Sequence, residues 1–230
     1  MATPGELVKC VAEALGIPEP TVVLYDRVLA ENGLRSKGGR GTSAAKVTSG
    51  DAANLLIAIL ASPVSGSSIK AATEVCKIYG QLPLKLGHDT DNRETCSKLG
   101  FPTLARMPRS HTFREAVATL IEGAILGEEL FVPNEEDESD PLTGPDMDWF
   151  VGIEIDGPDP WTQIIADGSM GTRDVFARFV FHNHKKVPPS KRRLRPRSQR
   201  PGGDMSQNRR ISYKTIRRVG QLLAETVHER

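Results

Sequence analysis

The chain has 230 residues and a mass of 25.1 kDa, enough for one core or two small ones. Hydrophobic residues make up 38% and aromatic residues 5%, which argues against one large aromatic-rich core, and 21 glycines with 16 prolines imply stretches of linker. The formal net charge of +1 hides two opposite blocks: nine acids without Lys or Arg from Glu128 to Asp148, and ten bases against the single acid Asp204 from Lys185 to Arg210.

No apolar run approaches the length of a membrane span, and "MATPGELVKC" lacks a charged segment followed by an apolar one. A soluble, cytoplasmic protein without membrane contact is expected. Cys10, Cys76 and Cys96 are odd in number, widely spaced and without a C-x-x-C, so reduced thiols are expected rather than a disulfide frame or a zinc site.

In chain order, "GELVKCVAEAL" places Leu7, Val8, Val11, Ala14 and Leu15 at helical spacing before Gly16. A second helix beginning near Thr21 carries Val22, Tyr25, Val28 and Leu29, and Gly33 closes it. Thr48 with Asp51 forms a capping pattern for a helix with Ala52, Leu55, Leu56, Ile59 and Leu60 on one face. A fourth helix spans roughly 68 to 79, and residues 81 to 110 read as connection. Thr112 with Glu115 caps a strongly periodic helix from Phe113 to Ile125. The acidic block, with Pro133, Pro141 and Pro145, reads as solvated linker.

The period then changes to alternation. "WFVGIEI", "WTQII" and "VFARFVF" read as three strands, with turns at "GPDP" and "DGSMG". Residues 184 to 210 read as too polar and proline-rich to pack. A final helix, roughly 213 to 228, carries Ile216, Val219, Leu222, Leu223 and Val227 to cover the sheet. The expected fold is therefore α+β: an N-terminal helical unit (1–62), a helical extension (63–132), an acidic linker (133–148), and a small antiparallel sheet with the basic tract and a covering helix (149–230).

Between the second and third helices lies "GLRSKGGRGTSAAK". A phosphate-binding loop of the form G-x-x-x-x-G-K-[ST] needs a lysine after its second glycine and a strand before its first. Here Gly39 follows Gly38 and a helix precedes Gly33, so both requirements fail. The other reading is a basic hairpin for nucleic acid. Ala12, Gly16, Ile17, Thr21 and Val22 hold the small, turn, apolar, cap and core positions of a helix-turn-helix, and "RVLAENGLRSKGGRG" resembles the end of a recognition helix entering a basic wing.

On these residues the segment 5–60 resembles winged helix-turn-helix DNA-binding proteins. "TSGDAANLLIAILAS" after "GGRGTSAA" looks like segments of small prophage-encoded proteins. The resemblance implies a DNA-binding regulator of transcription of phage or prophage type. Thr21 and Arg27 would be its helix contacts, and Arg35, Lys37, Arg40 and Lys46 its wing contacts with double-stranded DNA. Glu19, Asp26 and Glu31 around that helix, with Val23 and Leu24, fit base readout poorly. They leave a second reading open, in which the tri-helical unit docks on RNA polymerase or another transcription protein. A homodimer would suit a two-fold operator, although no heptad seam is evident.

Lys191, Arg192, Arg193, Arg195 and Arg197 of the basic tract are further candidates for backbone phosphate, with the acidic block of the same chain as the competing partner. Other constellations are thin. S-x-x-K at Ser43–Lys46 and Ser67–Lys70 lacks its companion motifs. His88, Asp89 and Asp91 are too few for an oxygen-ligand loop, and His182 with His184 lack a third ligand. No metal, cofactor or catalytic arrangement follows from spacing, and an enzyme is not expected.

Overall fold

The computed structural model describes residues 2–37, 46–63, 68–85, 97, 100–128, 150–157, 160–170, 173–182 and 207–228. Helices fill the N-terminal part: α1 (Pro4–Leu15), α2 (Glu19–Glu31), α3 (Ser49–Ala61), α4 (Ser68–Gly80), a short α5 (Pro102–Ala105) and α6 (Phe113–Ile125). Strands β1 (Phe150–Gly157), β2 (Trp161–Met170), β3 (Arg173–His182) and β4 (Gln207–Ser212) follow, and α7 (Tyr213–His228) comes after the last strand. The fold is α+β, with an antiparallel sheet of order β3-β2-β1-β4.

The helix starts are chemically explicit. Thr48 and Thr112 form the expected capping boxes with Asp51 and Glu115, and Thr3 with Glu6 forms another at the start of α1. In each, the threonine hydroxyl accepts an amide N–H that the first helical turn leaves unpaired, and the acid accepts the threonine N–H. These bonds hold the Glu6 and Glu115 carboxyls below the usual carboxylate value. At the other ends, Gly16 and Gly33 adopt φ of 63° and 72°. The next amide in each case folds back, Ile17 N–H to the Ala12 carbonyl and Leu34 N–H to the Leu29 carbonyl, which closes α1 and α2.

Helix α3 is more deeply buried than one apolar face would require. Every residue from Asp51 to Ala61 is buried, because α2, α4, α6, α7 and the sheet all pack around it. Its C-terminal carbonyls are therefore cut off from bulk water and need partners. Two come from β4: Arg209 Nη1 donates to the Ile59 carbonyl at 2.5 Å, and Gln207 Nε2 donates to the Ser62 carbonyl at 3.1 Å. The guanidinium also offsets the negative pole of a helix with no base in its own last turn.

β4 contains residues that their polarity had assigned to linker. It is an edge strand whose inward positions are Gln207, Arg209 and Ile211, and the first two have helix carbonyls to bind. On its other face Arg210 pairs with the buried Glu154 directly opposite on β1, and Asn208 Nδ2 donates to Asp156. The turn expected at "DGSMG" is also displaced. β2 continues through Asp167, Gly168 and Ser169 to Met170, which pairs with Arg173, so the reversal falls one or two residues later.

Residues 81–110 are more than connection. Leu84 bridges to Phe181, and Lys85 N–H donates to the Val180 carbonyl at 2.7 Å, which covers the free edge of β3. α7 packs chiefly against α6 and α1 and touches β1 and β4, so it ties the ends of the chain together as well as helping to cover the sheet. One continuous core runs from Ala2 and Leu7 through α3 and α6 to Phe179, Phe181, Ile216 and Leu223. The proposed linker 133–148 lies outside the described residues.

Two measurements check this account. Thr48→Ala should lower stability by about 1 kcal/mol through loss of the α3 cap, read as a shift of the urea midpoint with unchanged slope. Cys76 is buried, and burial pushes its thiol pKa up to about 12. Its peptide should stay unmodified when the native protein meets iodoacetamide at pH 8, and should be labelled on unfolding.

Candidate nucleic-acid interface

The loop that follows Gly33 is pinned at its base by three side chains from two helices. Asn54 Nδ2 of α3 donates to the Leu34 carbonyl at 2.6 Å, and Asp51 Oδ1 accepts the Ser36 N–H at 2.7 Å. Asp26 of α2 lies 2.7 Å from Arg35 Nε. This third contact is one of charge, since the Nε–H is not directed at the oxygen, and Arg35 Nη1 donates to the Ser36 carbonyl instead. On the returning side, Val47 N–H donates to the Ala2 carbonyl at 3.0 Å, just before the Thr48 cap.

Asp51 thus serves two structures at once, accepting Thr48 N–H and hydroxyl through Oδ2 and the loop through Oδ1. Asp26 is in a harder position. Burial pushes its carboxyl above the usual value; Arg35 pulls it back, and the nearby Asp51 charge pushes it up again. The side chains of Arg35 and Asp26 are only 15% and 12% exposed, so this pair is largely withdrawn from solvent screening.

The residues singled out from the sequence divide into four groups. Arg27 is exposed on the outward face of α2, which it shares with Pro20, Val23, Leu24 and Glu31. Lys37 and Lys46 are exposed at the two ends of the loop. None of these three bases has a hydrogen bond or ion pair among the described residues. Arg35 is held by Asp26, and its first task is to fix the loop base. Thr21 is half-buried, off the outward face of α2, at the edge of a groove shared with β4. Arg40 and the tract residues Lys191, Arg192, Arg193, Arg195 and Arg197 lie outside the described residues.

Asp26, expected with Glu19 and Glu31 to oppose phosphate around α2, is turned inward and paired. What could have found it is an acid about two turns before the helix-closing glycine with an arginine two residues beyond that glycine. The exposed charges of α2 are then Glu19, Arg27 and Glu31. Asp51 and Asn54, also missed as loop anchors, lie one turn apart on a buried helix, where a polar residue needs a partner.

Among the described residues no group of three or more His, Cys, Asp or Glu could hold a metal ion, and no helix is long and apolar enough to cross a membrane. No protein-family model matches the chain, and neither the curated proteins nor the solved structures compared with it include a match.

The Asp26–Arg35 pair carries a signed pH prediction. Burial favours the neutral acid, so the fold tolerates Asp26 best below its ordinary value of 3.8 and loses that advantage as pH rises through the raised folded value. Arg35→Ala removes the one compensating charge. It should cost about 2 kcal/mol at pH 7 by urea denaturation, with the loss shrinking toward pH 4, and adding Asp26→Asn should recover most of it.

Proposed function

We propose that the chain is a DNA-binding regulator of transcription, of the phage or prophage type, that meets double-stranded DNA through the basic loop after α2. The pinned loop base supports this reading most directly. Three hydrogen-bonded or ionic contacts fix residues 34–36 to α2 and α3, and Lys37 stands exposed immediately beyond them. A cation on a fixed stem loses less freedom on meeting a phosphate than one on a free chain. Lys46 at the other end and Arg40 between them make the segment basic without an intervening acid. Arg27 on the outward face of α2 adds a fourth cation near the same end of that helix. The tract from Lys191 to Arg197 would add backbone contacts of the same sequence-independent kind.

A second reading rests on a separate observation. Val23 and Leu24, 36% and 41% exposed, sit in the middle of the outward face of α2. Such a pair offers little to base edges beyond thymine methyls and suits an apolar protein surface better. In that reading the helical unit docks on a protein of the transcription machinery.

Binding of the full chain to random duplex DNA at several salt concentrations separates the two. The DNA reading expects a steep fall of log K with log salt, and a slope shallower by about 2 to 3 for Lys37→Ala/Arg40→Ala/Lys46→Ala. Val23→Ser/Leu24→Ser should leave that slope unchanged. Absence of binding by wild type at low salt overturns the DNA reading and leaves the protein-docking one.

A further inference from the structure

A groove of about 390 Å³ lies between the α1–α2 turn, the C-terminal end of α3 and β4. Its walls are apolar, built from Ile17, Ile59 and Ile211 among others, and no acid lines it. Four polar side chains line it, of which Arg210 is paired with Glu154. Thr21 and Tyr25 stand one turn apart on α2, and neither hydroxyl has a hydrogen-bond partner among the described residues. Tyr25 is only 5% exposed as a residue, but its hydroxyl keeps contact with solvent at the groove. Arg209 reaches in from β4, and its Nη1 is used by the Ile59 carbonyl while Nε and Nη2 have no partner among the described residues.

We infer that this groove is a binding site for a small carboxylic acid with an apolar body. The guanidinium of Arg209 and the hydroxyls of Thr21 and Tyr25 supply donors for the carboxylate, and the isoleucine walls take the hydrocarbon. The chemistry selects an anion. Arg209 donates only, and hydroxyls donate well to a charged acceptor. The volume is at the small end for ligand sites, which run from roughly 300 to 1,000 Å³. The site spans α2 and β4, so an occupant bridges the helix that carries Arg27 and the strand that closes α3. This assignment stands without the DNA reading, since it uses none of the exposed bases.

Titration of the full chain with 1-naphthoate by calorimetry, with 1-naphthamide as the uncharged control, tests it. Saturable one-site binding of the acid is expected, at least tenfold tighter than the amide. Tyr25→Phe and Thr21→Val should each weaken it roughly tenfold, and Arg209→Gln, whose shorter side chain also gives up the bond to the Ile59 carbonyl, by more. Thermal melting of each variant alone checks that the fold survives, and Tyr25→Phe is the arm least able to disturb it. No saturable binding, equal binding of acid and amide, or affinity unchanged in Tyr25→Phe and Arg209→Gln would overturn the assignment.

Discussion

The burial of α3 is the constraint from which most of the structure follows. A helix buried from Asp51 to Ala61 gains apolar contact on every side, but its ends still present unpaired amides and carbonyls, and its polar residues still need partners. Thr48 and Asp51 satisfy the first turn, and Arg209 and Gln207 satisfy the last. In between, Asn54 has its amide on the Leu34 carbonyl, and Cys76 Sγ–H faces its oxygen at 3.6 Å. The base of the loop after α2, residues 34–36, is thus held in place by groups whose prior task is to make a buried helix tolerable. Its anchoring is a by-product of core packing.

The same economy explains why the basic loop has a fixed stem. Burial makes the Asp26 charge costly and Arg35 offsets that cost, and Arg35 cannot reach it unless the chain turns at Gly33. The turn, the pair and the Ser36 bond to Asp51 are therefore mutually dependent, and losing one weakens the others. What projects beyond this knot is set by its position, whichever partner it meets.

Much of this was legible in the sequence, because local chemistry announced it. The threonine–acid pairs at 48/51 and 112/115, the glycines closing α1 and α2, the alternation of β1 and the β-branched and aromatic run of β3 all act through neighbours within a few residues. What was not legible depended on distant partners. Gln207 and Arg209 look like linker until the carbonyls of Ile59 and Ser62 are brought beside them. Asp167 and Gly168 look like a turn until the opposite strand, at Phe176 and Val175, keeps them extended. In the candidate interface, the exposed bases Arg27, Lys37 and Lys46 were readable as such. The inward turn of Asp26 and the engagement of Arg35 were not, because helical period alone does not say which acid is spent on a neighbouring loop.

The bonds from β4 to the end of α3 join residues up to 150 positions apart, and Arg218 of α7 pairs with Glu13 of α1 across a still longer separation. Closing such loops is slow and entropically costly, and it must precede the contacts that reward it. During synthesis the N-terminal helices emerge first, with the tail of α3 uncapped and the α1 face that meets α7 bare. The molecule consequently has a vulnerable interval built into its topology. Until Gln207 and Arg209 have left the ribosome, its most hydrophobic helix lacks the side chains that bind its last carbonyls, and its apolar surface is open to wrong contacts meanwhile.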